Sequence, residues 1–249
     1  MNLHFRPTFW PTVFTIPAVL LMLGLGVWQL ERLQWKTAII AERTERTSAA
    51  PIPLPGPEAD VAGLEYDRVQ VEGTYLHDKE IYLGARSLNG NAGYHLMTPF
   101  RLKGGRILFV DRGWIPLDRK KPESRAAGQV PGLVALDAVI RLRGTQNWLV
   151  PDNRPDLDFF FFADLPAMAK LMDLPQAETR FFLEAGPAAN PGGYPIGGQT
   201  RIDLPNDHLQ YAITWFSLAA ALLVIYFIYH RRPPQKTGTA KARPPSEEP

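Results

Sequence analysis

Two long apolar stretches, one near each end, restrict this chain more than any other feature. Phe9 to Leu30 reads FWPTVFTIPAVLLMLGLGVWQL, 22 residues without a charge. At about 1.5 Å per residue a helix of that length crosses a hydrocarbon layer of about 30 Å. Trp10 and Trp28 lie near its two ends, where amphipathic rings settle at the headgroup level. The run is too long for a cleavable signal and no small-x-small site follows it, so a retained anchor is expected. Leu209 to Tyr229 (LQYAITWFSLAAALLVIYFIY) is the second stretch, closed by His230-Arg231-Arg232 and a Pro-rich basic tail. Pro17 inside the first helix frees a backbone carbonyl that lipid cannot satisfy, which predicts that the two helices pack together.

Flanking charges orient the anchors. Arg6 and the tail residues Arg231, Arg232, Lys236, Lys241 and Arg243 stand against Arg32, Lys36, Arg43, Arg46 and Arg201. The dense cluster after the second stretch, and the indifference of long translocated domains to charge, favour cytoplasmic termini (1–8 and 230–249) and an external middle domain. Overall charge adds little: 27 basic and 25 acidic residues leave a net +2, without the bias of a nucleic-acid binder. The chain has no cysteine, which removes thiolate nucleophiles, iron–sulfur clusters, thiolate zinc sites and disulfides.

Between the anchors the periodicity changes twice. ERLQWKTAIIAERTER spaces Leu33, Trp35, Ile39 and Ile40 among charges, which predicts a juxtamembrane helix over 31–50 that stops at Pro51. The following PIPLPGP cannot continue a helix and reads as a linker or extended turn. From there the period is two: strands are expected at Arg68 to Gly73, Ile81 to Leu83, Tyr94 to Leu102, Arg106 to Arg112, Ala138 to Leu142 and Phe181 to Glu184. Gly-rich turns between them predict an antiparallel β-rich domain over 51–207, barrel-like or sandwich-like, with a short helix from Asp164 to Met172 capped by Asp164. The predicted class is an α+β membrane protein, with transmembrane helices over 9–30 and 208–229 flanking that domain.

Catalytic motifs are lacking. The five histidines stand at 4, 77, 95, 208 and 230 with no metalloprotease pair, and there is no nucleophile elbow or phosphate-cradling loop. His77 and His95 read as ordinary strand or turn residues. Pro205-Asn206-Asp207-His208-Leu209 is more informative. Asn206 or Asp207 can cap the second helix, which puts His208 in its first turn, where the helix dipole disfavours the imidazolium and keeps a neutral ligand. Tyr211, Ala212 and Trp215 follow at i+3, i+4 and i+7 on the same face. An axial nitrogen beside a flat apolar slot suits an iron porphyrin; an interfacial belt of aromatic residues explains the same spacing.

Three ordered strings carry a resemblance: GVWQLERLQWK (Gly26 to Lys36), FVDRGWIP (Phe109 to Pro116) and PNDHLQYAITWF (Pro205 to Phe216). Together with Tyr66 to Gly73, Gly93-Tyr94 and Thr98-Pro99-Phe100 they resemble the Surfeit-locus assembly-factor family of cytochrome c oxidase, across nearly the whole chain. The resemblance implies a non-enzymatic inner-membrane protein with its central domain on the periplasmic side. Its implied partners are the haem-containing oxidase subunit and membrane lipid, with haem a synthase a further candidate. It also implies haem a binding with His208 as the axial iron ligand. The family motif often has Asn-Asn where this chain has Asn206-Asp207, and both residues cap. Gln29 and Arg32 are expected to face the second helix or the haem. Arg112 has two readings: it pairs a haem propionate, or forms an internal ion pair with Asp111 beside a core Trp114. The competing function is a scaffold that braces an oxidase intermediate without ligating haem; a haem-modifying monooxygenase is the weakest alternative.

Overall fold

The computed structural model describes residues 4–144, 150–157 and 159–232; the basic tail from residue 233 onward and residues 1–3 lie outside them. The chain divides into two compact units, residues 1–39 with 204–249, and residues 40–203.

The first unit is a helix pair. α1 spans Phe9–Ser48 as one unbroken 40-residue helix, so the stretches expected as a membrane helix and a juxtamembrane helix are continuous. Pro17 lies within α1 without ending it. A second helix, called α3 below because a short one precedes it, spans His208–His230 and is about 34 Å long. Both are long and apolar enough to cross a membrane. Their buried positions are sparse, and half of them are small: Gly26 on α1 and Ala212 and Ala219 on α3, beside Val19, Gln29 and His230. Gly26 lies against the Phe216 ring, where a methyl group would come within 2.6 Å. Small residues that let backbones approach are the usual basis of helix pairing in lipid. The outward faces carry exposed Phe14, Leu20, Leu21, Ile213, Val224 and Ile225, an apolar surface too broad for water. At the far end β1 (His4–Phe5) pairs antiparallel with β9 (Arg231–Arg232).

The second unit is a seven-stranded sheet. Its strands are β2 (Arg68–Tyr75), β3 (Ile81–Leu88), β4 (Asn91–Leu102), β5 (Ile107–Pro116), β6 (Val134–Leu142), β7 (Phe159–Phe160) and β8 (Phe181–Ala185). The order is β2-β6-β8-β5-β4-β3-β7, and a three-residue pairing also joins β2 to β4. The expected antiparallel barrel or sandwich is corrected to a mixed sheet. The β5–β8 and β3–β7 pairings are parallel, and parallel neighbours require a long crossover, which the chain between β5 and β8 supplies.

Residues Ile107 to Ile115 of β5 are all buried, so this strand runs through the core. α2 (Leu165–Leu171) packs Leu165, Met168 and Ala169 against Met97, Phe109 and Phe160. Asp164 caps it as predicted, accepting from the Ala167 amide at 3.2 Å. The PIPLPGP segment is docked rather than loose: Ile52 bridges to Val69, and Arg106 donates to the Pro55 carbonyl at 2.6 Å.

Candidate functional site

The sequence at the start of α3 makes an unusually well-tied helix end. Asp207 occupies the cap position but makes no side-chain cap bond; its carbonyl accepts from the Tyr211 amide at 3.2 Å. The capping expected of Asn206 or Asp207 is replaced by ties to α1. Asn206 Nδ2 donates to Thr37 Oγ1 at 3.2 Å, and Lys36 Nζ donates to the Pro205 carbonyl at 2.5 Å. The third tie is His208 itself, whose Nδ1 lies 2.6 Å from Gln29 Oε1. Lys36 follows Gln29 by seven residues, two helical turns along one face, a spacing that marks it as a partner for the same end of α3. In the sequence Lys36 reads only as a flanking charge and Thr37 as ordinary solvated surface, because nothing local shows that either ties to the start of α3.

The Gln29 contact selects between the two tautomers of a neutral imidazole. An amide oxygen only accepts, so Nδ1 carries the proton and donates. In the neutral ring Nε2 then holds the lone pair, and that atom is buried with no hydrogen-bond partner. The Asn206 Oδ1 atom is also buried and unpartnered. A buried acceptor left without a donor is costly, and such groups mark places where something else binds. The histidine at the opposite end of α3 shows the contrast. His230 Nδ1 donates to the Tyr226 carbonyl at 2.8 Å and its Nε2 accepts from Thr8 Oγ1 at 2.9 Å, so both nitrogens are spent on structure.

The remaining predicted residues separate. Ala212 is buried in the helix pair and Trp215 is half-buried, whereas Tyr211 is 56% exposed and turns outward. The three therefore do not form one closed slot. Arg32 leaves its guanidinium 4.2 Å from the Trp35 ring centroid, a cation–π contact along α1. Gln29 is 9% exposed and faces α3, as expected of it.

Arg112 is 1% exposed inside the sheet unit, and of its two readings the internal one matches its surroundings. Its carboxylate partner is corrected from Asp111 to Glu80, at 3.4 Å, and its guanidinium also lies 4.5 Å from the Tyr75 ring centroid and donates to the Gly128 carbonyl. Both Nη atoms are engaged within the sheet unit, whereas Nε is buried without a hydrogen-bond partner. Trp114 is a core ring, as expected. Asp111 instead takes His95 Nδ1 at 2.8 Å, and His77 Nε2 lies 3.1 Å from the Val130 carbonyl, both structural roles. Among the described residues no three histidine or acidic side chains are grouped to hold a bare metal ion.

The model of the SURF1 family matches residues 16–220. A SURF1-like protein of Monosiga brevicollis is 37% identical over 248 residues, covering 95% of this chain and 92% of the relative. Surfeit locus protein 1 of Takifugu rubripes is 38% identical over 220 residues, covering 82% of this chain and 90% of the relative. The Homo sapiens Surfeit locus protein 1 is 37% identical over 220 residues, covering 82% of this chain and 72% of the relative. The matched span runs from within α1 to within α3, and the chain belongs to the SURF1 family.

Proposed function

We propose that this protein is a membrane-embedded assembly factor for a haem-containing respiratory oxidase, and that it holds haem a through His208 Nε2 before the haem passes to the oxidase subunit. The observation that carries the reading is the buried, unpartnered Nε2 on an imidazole whose other nitrogen is tied to Gln29. A haem iron needs only one such nitrogen from the protein, whereas a bare metal ion needs several ligands. The iron, once bound, supplies the Lewis-acid centre that this lone pair satisfies. Gln29 fixes the ring orientation and the tautomer, the outer-ligand role usual for metal-bound histidine. Trp215 offers a half-buried aromatic face two turns along α3 from His208. Because Nε2 is shut off from solvent, loading requires the surrounding side chains to part. No bond is made or broken in the cargo, so the role is that of a carrier rather than an enzyme.

In this reading α1 and α3 cross the inner membrane, with the charge cluster at Arg231 and Arg232 on the cytoplasmic side and the sheet unit on the periplasmic side. The haem-containing oxidase subunit is the receiving partner and haem a synthase a candidate donor. The test is an absorption spectrum of the detergent-purified protein from a host that makes haem a, with and without His208→Ala. A haem band in the parent that is lost in the variant supports the reading; equal occupancy in both rules out ligation by His208 and leaves the bracing role.

A further inference from the structure

Two interruptions in the sheet converge on one cavity. Along β3 and β4 the register shifts between Leu83 and Arg86, and Ala85 in that gap has φ +53°, a left-handed conformation for a residue with a Cβ. Along β4 and β5 it shifts between His95 and Met97, and there the extra residue falls on β5 at Gly113, with φ +111°. Bulges re-aim side chains, and strained non-glycine backbone persists only where the surroundings hold it. Both bulges lie beside a cavity of about 500 Å³ lined by Arg86, His95, Asp111, Arg141, Glu184 and Arg201, among others. That volume is in the range of small-molecule sites, but the wall is charged where such sites are mostly apolar.

The charges in the wall do not cancel one another. Glu184 receives Arg141 Nη1 on both carboxylate oxygens at 3.1 Å. Asp111 is taken by His95 at 2.8 Å and by the Gly113 amide at 2.9 Å. Arg86, half-buried, and Arg201, exposed at the rim, make no hydrogen bond or ion pair with any described residue. An arginine drawn into a cleft normally has a carboxylate, a phosphate or an aromatic face as its partner.

The geometry points to this cavity as a binding site for a small hydroxylated anion, whose carboxylate or phosphate is held by Arg86 and Arg201 and whose hydroxyl donates to the carboxylate wall of Asp111 and Glu184. Guanidinium groups bind either anion through paired N–H donors, and the acceptors opposite them favour a ligand that also carries a donor. The site is separate from His208 and does not depend on haem.

Isothermal titration of the full-length protein in detergent, at fixed ionic strength, tests this with two probes, malate and glycerol phosphate. Saturable 1:1 binding of one or both is expected, malate identifying a carboxylate site and glycerol phosphate a phosphate site. Arg86→Ala and Arg201→Ala should each weaken it at least about tenfold, and succinate, which lacks the hydroxyl, should bind more weakly than malate where malate binds. Arg201 is exposed, so its variant is expected to keep the parental melting temperature and separates lost contact from lost fold. Absence of saturable binding by both probes, or unchanged affinity in the Arg201→Ala protein, overturns the proposal.

Discussion

Gln29 Oε1 on α1 lies 2.6 Å from His208 Nδ1 on α3, so the helix pair itself selects which imidazole nitrogen carries the proton. The bond does two jobs. It aligns the helices where α3 begins, and it leaves the second nitrogen with a buried lone pair and nothing to accept from.

The first prediction tests the second of those jobs. Gln29→Leu removes the acceptor and frees the ring to rotate or change tautomer. Affinity for haem, titrated in detergent, should fall by about 10–100-fold, the usual cost of losing a partner behind a ligating histidine. Gln29→Glu keeps an acceptor at the same reach and should retain affinity within a few-fold. If both variants lose haem alike, Gln29 acts only in helix packing.

Helix pairing gives a second prediction. A side chain larger than hydrogen at Gly26 would collide with the Phe216 ring. Gly26→Leu should therefore destabilise the helix pair by about 1–3 kcal/mol, the range for overpacking a closely fitted interface. Phe216→Ala in the same chain opens the space and should recover part of that loss. Unfolding in a denaturing-detergent titration reads both, and additive losses in the double variant would show that the two residues do not meet.

Much of this architecture is legible in the residues, and the gaps have physical reasons. The hydropathy of Phe9–Leu30 and Leu209–Tyr229 marks the two long helices directly. Alternation marks β2 and β6 to within a few residues, because each has one face against the core, whereas β5 and β8 are marked by short apolar runs that the core buries. Strand order is not local information: β8 lies beside β5 in parallel although more than 60 residues separate them. The pairing of Arg112 illustrates a subtler point. Adjacent residues on a strand point to opposite faces, so Asp111 and Arg112 are poorly placed to pair. Asp111 turns to His95 and Arg112 to Glu80, a contact across 32 positions. At the candidate site, His208 and Gln29 are recognisable as polar residues bordering apolar runs, but their hydrogen bond, 179 positions apart in sequence, appears only once the helices are packed.

Acid sensitivity follows from Glu178. Burial pushes its carboxyl up, but hydrogen bonds from the Arg180 side chain and amide and from Arg106 outweigh this and bring it down to about 2 from 4.5. A carboxylate with a depressed pKa in the folded state contributes stability that is complete above its unfolded value and fades as pH falls toward its folded one. Glu178→Gln should therefore destabilise the protein most above pH 4.5, with the gap to the parent closing as pH drops from 4.5 toward 2. Urea unfolding at pH 7, 4 and 2.5 measures the gap; a constant difference at all three would show that the charge on Glu178 is not what stabilises the fold. Because Arg180 also donates to the Ala59 carbonyl at 2.8 Å, early loss of the docked segment around Pro55 to Ala59 should accompany the acid transition.

The network around Glu80 carries the largest expected cost. Its carboxylate is the anion between two buried guanidiniums, with Arg125 Nη2 at 2.6 Å and Arg112 Nη1 at 3.4 Å. Burial pushes the Glu80 carboxyl up, yet hydrogen bonds from His77 and Arg125 and the two positive charges hold it below the usual carboxylate value. Glu80→Gln would leave two cations enclosed without a counter-charge, a change that typically costs about 3–5 kcal/mol. Arg112→Met removes one of those cations while filling much of the same volume. The double variant Glu80→Gln with Arg112→Met should then be more stable than Glu80→Gln alone, a sign reversal that simple loss of packing would not produce. Equilibrium unfolding of the parent, both single variants and the double variant closes the cycle. If the double variant is less stable than either single one, Arg112 stabilises the sheet through its contacts with Tyr75 and the Gly128 carbonyl, and not through its charge pairing with Glu80.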